Sequence, residues 1–282
     1  MRSAATPYRY PDHLRGDAEA MPKAAGVYVF HGEDGPLPLY VGKSVCLRTR
    51  VLDHLRTPEE ARMLHQARRI TFQRTAGDVG AQLLESHLVK RLKPIYNRRL
   101  RQVKTLYSLR LAEGRVTVVS SADEAFSEQA GVHGLFRTAP AARRAIEELA
   151  DLHRLCLVTL GLEPGTAGRP CFRHQIRRCA GACAGADDAY GHQQRTSVAL
   201  ASLRMKRWPY RGALGVVERE GRMSRIHVVR QWCYLGSAAT PAAAAKLANR
   251  PARFDLDGYR LLAPLLVTPG NVQTMELSSC SG

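Results

Sequence analysis

The chain has 282 residues, 45% of them hydrophobic, enough to fill one large or two small cores. Lysines and arginines number 42 against 25 aspartates and glutamates, giving a net charge of +17; this points to a polyanionic partner, nucleic acid rather than membrane, because no basic amphipathic stretch adjoins an apolar anchor. No run of 18 apolar residues exists and residues 1–17 are polar, which excludes a transmembrane helix and a signal-peptide core and makes a cytoplasmic protein the expectation.

Residues 1–22 read as an extended N-terminal extension, since Pro7, Pro11 and Pro22 discourage helix. Residues 23–100 read as one compact α+β unit. Within it, 26–30 alternate valine with aromatic residues as a strand does, 31–38 form a loop rich in Gly and Pro, and 39–41 form the return strand of a hairpin. Leu47, Val51, Leu52 and Leu55 recur at helical spacing, and 70–74 suit a third strand. Asp78 caps a helix that runs to about Leu92 and is stopped by Pro94. Residues 101–152 form a connecting segment with strands at 108–111 and 116–120 and a helix around 141–152. Residues 153–204 hold four of the seven cysteines and, from 188 to 206, a helix. Residues 205–282 form a C-terminal α+β region with strands at 213–217, 226–229 and 259–262 and an Ala-rich helix at 241–249.

The chemistry concentrates in the second of these segments. Glu85 lies within about 60° of Ala81, Leu88, Val89 and Leu92 around its helix, so a carboxylate sits in a stripe that should face the core. A buried carboxylate needs a cation or strong donors. A structural ion pair with one of the arginines is the ordinary outcome; a divalent metal is the alternative, for which one carboxylate plus waters and phosphate oxygens suffices. Arg50 and His54 are one helical turn apart at the flank of Leu47, Val51 and Leu55, where a guanidinium can grip a phosphate. Tyr28 and Tyr40 stand on opposite arms of the hairpin; either alone is ordinarily a core residue with a satisfied hydroxyl. Lys43 can hold a phosphate or favour a phenolate, and Asn97 follows the Pro94 turn. The triplet Gly42-Lys43-Ser44 is not a phosphate-binding P-loop, because position 37 is Leu37 where that motif needs glycine.

The set Gly26-Val27-Tyr28, Tyr40-Val41-Gly42, Arg50, Glu85 and Asn97 resembles the GIY-YIG nucleases, with valine for isoleucine in both triplets. The resemblance implies an antiparallel three-stranded sheet flanked by helices and a metal-dependent endonuclease. It implies Tyr28, Tyr40, Lys43, Arg50, His54, Glu85 and Asn97 as catalytic residues, Tyr40 as general base, and Glu85 as the ligand of Mg²⁺ or Mn²⁺.

Cys156, Cys171, Cys179 and Cys183 are separated by 14, 7 and 3 residues. In a reducing compartment such bunching favours a metal or cluster over disulfides, and the spacing leaves Zn²⁺ and a [4Fe–4S] cluster both open. Arg169-Pro170-Cys171, Arg178-Cys179 and Cys183 resemble the segment that follows the nuclease domain in the UvrC excinuclease family. That resemblance implies a [4Fe–4S] cluster, damaged double-stranded DNA as substrate, the excinuclease proteins UvrA and UvrB as partners, and incision 3′ to a bulky lesion. Lys43, Arg48, Arg98, Arg99, Arg173, Arg177 and Arg178 are the expected DNA contacts. With no second nuclease domain, helix–hairpin–helix tail or UvrB-docking hairpin evident, short members of that family are the expected match. A non-catalytic DNA-binding or redox-sensing protein and a free-standing restriction nuclease are the competing readings. Asp255 and Asp257 suggest a turn, and Trp208 and Trp232 core packing.

Overall fold

The computed structural model describes residues 7–33, 38–97, 105–123, 126–267 and 272–277. The chain divides into two compact units, one formed by 1–103 together with 210–282 and the other by 104–209. The fold class is α+β, as expected.

The nuclease sheet consists of β1 (Gly26–His31), β2 (Tyr40–Ser44) and β3 (Arg69–Arg74), all antiparallel in the order β2-β1-β3. In the β1–β2 register Tyr28 stands opposite Gly42 and Phe30 opposite Tyr40, so these four share one face. That face packs with Leu14, Leu47, Val51, Leu55 and Leu64 from α1 (Arg15–Ala20), α2 (Leu47–Leu55) and α3 (Ala61–Gln66) with the turn before α1. The other face, Val27, Val29 and Val41, packs on Val89, Leu88 and Leu92 of α4 (Asp78–Leu92). Alternation along β1 thus supplies an aromatic layer to one side and a valine layer to the other.

The extension departs from the expected extended leader. Pro11 and Pro22 bracket a helix instead of preventing one, and Leu14, Ala18 and Met21, spaced four and three apart, are fully buried. Asp17 accepts the Ile70 N–H at 2.7 Å and ties the helix to β3.

The same unit contains the C-terminal sheet, ordered β10-β7-β8-β9 and antiparallel throughout. Its strands are β7 (Ala213–Glu220), β8 (Met223–Arg230), β9 (Cys233–Ala238) and β10 (Gln273–Leu277), with α8 (Pro241–Ala248) packed on it and α9 (Leu256–Val267) beyond. The strand expected at 259–262 is part of α9: Gly258, Leu262, Ala263 and Leu266 are the buried positions, a helical rather than an alternating period. Asp255 and Asp257 lie at the start of α9 and pair with Lys90 of α4 at 2.6 and 2.8 Å, an ion-pair role beyond the simple turn. Trp232 is fully buried.

The second unit is built on a three-stranded antiparallel sheet, β5-β4-β6, from β4 (Tyr107–Ala112), β5 (Arg115–Ser120) and β6 (Val132–Phe136). The helix α5 (Ala139–His153), capped by the Thr138 side chain on the Ala141 N–H, covers it and packs with α7 (Ala189–Ala201) around Leu109, Ile146, Leu157 and Leu200. The cysteine segment, which includes the short helix α6 (Phe172–Gln175), lies between α5 and α7 in the chain. Trp208 is buried, 2% exposed. Among the described residues no helix is long and apolar enough to cross a membrane.

Candidate active site and cysteine centre

The nuclease residues gather along the free edge of β2. Asn97 fixes that edge: its Oδ1 accepts the Val41 N–H at 2.9 Å and its Nδ2 donates to the Val41 carbonyl at 2.8 Å. This is a strand-like grip on both polar groups of one edge residue, more than the turn role its type suggests. Two residues along, the same edge presents the Lys43 amide. There the Glu85 carboxylate, carried by α4, meets it: the Lys43 charge and backbone N–H favour the ionised form. Burial outweighs them and, with Asp78 nearby, raises the Glu85 pKa. Lys43 itself donates to Asp78 at 2.8 Å and is one-third exposed. The sequence does not mark Asp78 as a site residue; its only signal is its place at the helix start.

On the aromatic face the Tyr28 hydroxyl lies 2.6 Å from His54 Nε2, and His54 Nδ1 makes a short contact to the Glu60 carboxylate. His54 is 3% exposed, so both its nitrogens are committed inside the protein. Arg50 and Tyr40 also lie within interaction range of the Tyr28 hydroxyl. The rings of Tyr28 and Tyr40 are 6.3 Å apart and those of Tyr40 and His54 5.5 Å. Burial, then the neighbouring Tyr40, raise the Tyr28 pKa; burial, then Glu85 and Glu60, raise that of Tyr40. Both are neutral phenols at physiological pH. Glu60 escapes sequence reasoning because it lies in a short 3-10 turn, Pro58–Glu60, with no periodicity to mark it.

Gly42 is required by this arrangement. A Cβ there would stand 2.5 Å from Tyr28 Cζ and 2.8 Å from Tyr40 Cε1. Only a residue without one lets the two rings meet across the hairpin.

The cationic residues divide. Arg50 is exposed at the tyrosine pair, while Arg48 donates to the Met21 carbonyl at 2.7 Å. In the second unit Arg173 pairs with Asp151 and its side chain is 15% exposed, Arg178 lies 3.6 Å from the same carboxylate, and Arg177 is exposed. Arg98 and Arg99 lie outside the described residues.

The four cysteines converge. The sulfurs of Cys156, Cys171 and Cys179 all lie within 4.8 Å of one another. Cys183 Sγ accepts the Cys171 N–H and Cys179 Sγ the Gly181 N–H, both at 3.3 Å. Burial pushes Cys179 up to about 12 and Cys183 up to about 11. For Cys156, burial is outweighed by hydrogen bonds from Thr159 and Cys183, which bring it down to about 7. Four thiols so close cannot all ionise unless a cation shares the charge, so the donor set fits a thiophilic metal or cluster.

This geometry defines a GIY-YIG nuclease domain joined to a cysteine-bearing segment. The family models agree: the UvrC-like GIY-YIG domain matches residues 24–98, the UvrC/Cho excinuclease middle domain 106–202, and the excinuclease Cho C-terminal domain 213–281. Excinuclease cho of Salmonella typhi is 45% identical over 274 residues, which is 97% of this chain and 93% of that protein. The Escherichia coli K12 protein is 44% identical, over 97% and 92%. The GIY-YIG N-terminal endonuclease domain of UvrC from Thermotoga maritima, solved bound to magnesium, is 28% identical with a TM-score of 0.28, over 29% of this chain and 93% of that one. The chain belongs to the excinuclease Cho family. It is an endonuclease of nucleotide excision repair.

Proposed function

We propose that the chain cuts one DNA strand on the 3′ side of a bulky lesion, in duplex already opened by UvrA and UvrB, in the cytoplasm. What supports this reading is the meeting at the β2 edge of a costly carboxylate, Glu85, with two neutral tyrosines wired to an imidazole and a second carboxylate.

Glu85 is the ligand for Mg²⁺ or Mn²⁺; its raised pKa marks a charge the protein leaves under-compensated. A divalent cation there supplies charge neutralisation at the phosphate and the leaving 3′-oxygen. Arg50 grips a phosphate oxygen with the part of its guanidinium not engaged by Tyr28. Lys43 steadies Glu85, and Asp78 keeps the Lys43 side chain in place.

Tyr40 is the general base, and its raised pKa dictates how it works. It accepts a proton from the attacking water as its own passes to Tyr28. The Tyr28 proton passes to His54 Nε2, and the His54 Nδ1 proton to Glu60. The proton ends on a carboxylate whose side chain is 31% exposed, so Tyr40 never stands as a free phenolate. Asn97 holds the strand that carries Tyr40.

Cys156, Cys171, Cys179 and Cys183 hold a [4Fe–4S] cluster, with Zn²⁺ the other group they fit; it cross-links a loop that has little apolar core of its own. Arg50, Arg177 and Arg178 contact the DNA backbone, joined by Lys43, Arg48, Arg98, Arg99 and Arg173.

The test is nicking of a duplex with one bulky adduct in Mg²⁺, with and without UvrA and UvrB. A single 3′-side nick that needs both proteins and disappears in Glu85→Ala supports the reading. Equal cutting by Glu85→Ala overturns the site assignment, and sequence-specific cutting of undamaged plasmid overturns the repair specificity.

A further inference from the structure

The helix that carries Glu85 has no cap of its own. Its N-cap residue is Gly77, with extended backbone and no side chain to offer, and the first helical residue, Asp78, spends one carboxylate oxygen on Lys43 and the other on Gln82. The N-terminal N–H groups are satisfied from a distant part of the chain. Glu218, on β7, accepts the Val79 N–H through Oε1 at 3.0 Å and the Gly80 N–H through Oε2 at 2.8 Å. These are the two positions that an N-cap aspartate would serve in cis. The charge is also well placed for the helix dipole.

Glu218 is itself held. Its Oε2 lies 2.9 Å from His227 Nε2, and His227, 1% exposed, bonds Ser237 Oγ at 2.7 Å through Nδ1. Two glycines leave room for this contact. A Cβ on Gly80 would stand 2.6 Å from His227 Nε2 and 2.8 Å from Glu218 Oε2, and one on Gly77 would stand 2.7 Å from the Glu218 carboxyl carbon. Further along the helix, Lys90 pairs with Asp255 and Asp257, and His87 packs edge-on against Tyr234 of β9 at 5.7 Å. Gly80, His87 and Lys90 each lie about 140° or more around the helix from Glu85. The C-terminal region therefore holds α4 along the face opposite the one that carries Glu85.

We infer that Glu218 is a positioning residue for the cut: the C-terminal sheet caps and backs α4, and so fixes Glu85 at the β2 edge. The inference rests on the reading of Glu85 as the metal ligand. It gives residues 213–277 a part in catalysis without contact to the reacting atoms.

The test uses the full chain, with nicking kinetics in the presence of UvrA and UvrB, Mn²⁺ titration followed by electron paramagnetic resonance, and thermal melting. Glu85→Ala abolishes Mn²⁺ binding and cutting; if it does not, the site reading fails, whatever Glu218 does. Glu218→Ala raises the Mn²⁺ half-saturation and lowers kcat roughly ten- to hundredfold with KM for DNA unchanged, the penalty of a misplaced catalytic group. Unchanged kcat and Mn²⁺ affinity in Glu218→Ala, beside a dead Glu85→Ala, overturns the inference. A second substitution separates positioning from bare stability. Gly77→Asp alone is harmful, because it strikes Glu218. In the Glu218→Ala background it supplies the missing cap in cis and restores most of kcat and of the Mn²⁺ affinity. Recovery of the melting temperature without recovery of kcat overturns the positioning role.

Discussion

Gly42→Ala is the smallest change that should disable the site, and its size can be worked from the β1–β2 pair. The new methyl group would stand 2.5 Å from Tyr28 Cζ, 0.9 Å short of the 3.4 Å at which such contacts become ordinary. Tyr28 cannot retreat freely, since it is 1% exposed and packed edge-on against Phe30 and His54 at 6.0 and 5.3 Å. Overpacking of this kind costs about 1–3 kcal/mol, which for a chain of this size lowers Tm by roughly 2–10 °C. Displacement of a catalytic hydroxyl by about 1 Å costs up to roughly a hundredfold in rate. The assay is the nicking rate of an adducted duplex at saturating DNA and Mg²⁺, for wild type, Gly42→Ala, Tyr28→Phe and the double variant. If the alanine acts by displacing the Tyr28 hydroxyl, it has little left to remove once that hydroxyl is gone. The two losses should then overlap by about 1 kcal/mol or more. Full activity in Gly42→Ala, or losses that simply multiply in the double variant, would refute the role given to this contact.

Asn97→Ala leaves the N–H and carbonyl of Val41 without their partners, at about 1–3 kcal/mol for each buried group, and should lower Tm and slow cutting together; an unchanged Tm would show that the edge does not depend on it. Glu60→Gln keeps a hydrogen-bonding side chain at His54 but cannot take up the proton, so kcat should fall with KM and Tm nearly unchanged; an unchanged kcat removes Glu60 from the proton path. Burial would raise the Glu218 pKa, but the bonds from His227, Gly80 and Val79 hold it below the ordinary carboxylate value. Its stabilisation is therefore present above that ordinary value and lost as pH falls through the folded one. The Tm difference between wild type and Glu218→Gln should shrink as pH falls below about 4.5, and a gap that widens there would contradict the sign. Anaerobic loading with iron and sulfide should give a stable brown protein, and Cys171→Ser should prevent it; colourless uptake of one zinc in its place would decide for the alternative.

The parts of the site carried by local pattern are legible in the sequence. The alternation from Gly26 to Phe30 and the stripe around Glu85 follow from periods of 2 and 3.6 residues, and the structure keeps both; the register that sets Gly42 opposite Tyr28 does not follow from either period. What the pattern hides is long-range. The Glu60 contact to His54 falls between elements, and Glu218 reaches Val79 across 139 residues. No local rule announces such pairs. The helix in the extension is hidden because Pro11 and Pro22 read as breakers when they mark its ends. In α9 a four-residue window around Tyr259 is too short to distinguish a strand from a helix.

The second buried face of α4 explains why a helix with so poor a site for a carboxylate holds together. Glu85 is driven toward its neutral form by burial and by Asp78, and among the described residues Lys43 opposes them. Leu83, about 160° away around the helix, is nonetheless 2% exposed, and Gly80 is buried. A helix packed on one face alone would show neither. The electrostatic cost of Glu85 on one side is thus set against apolar contact, an external cap and a paired lysine on the other. Relief of that cost by a bound cation should therefore show as tighter packing of α4, read as slower amide exchange along 81–92 when Mg²⁺ is present, in wild type but not in Glu85→Ala.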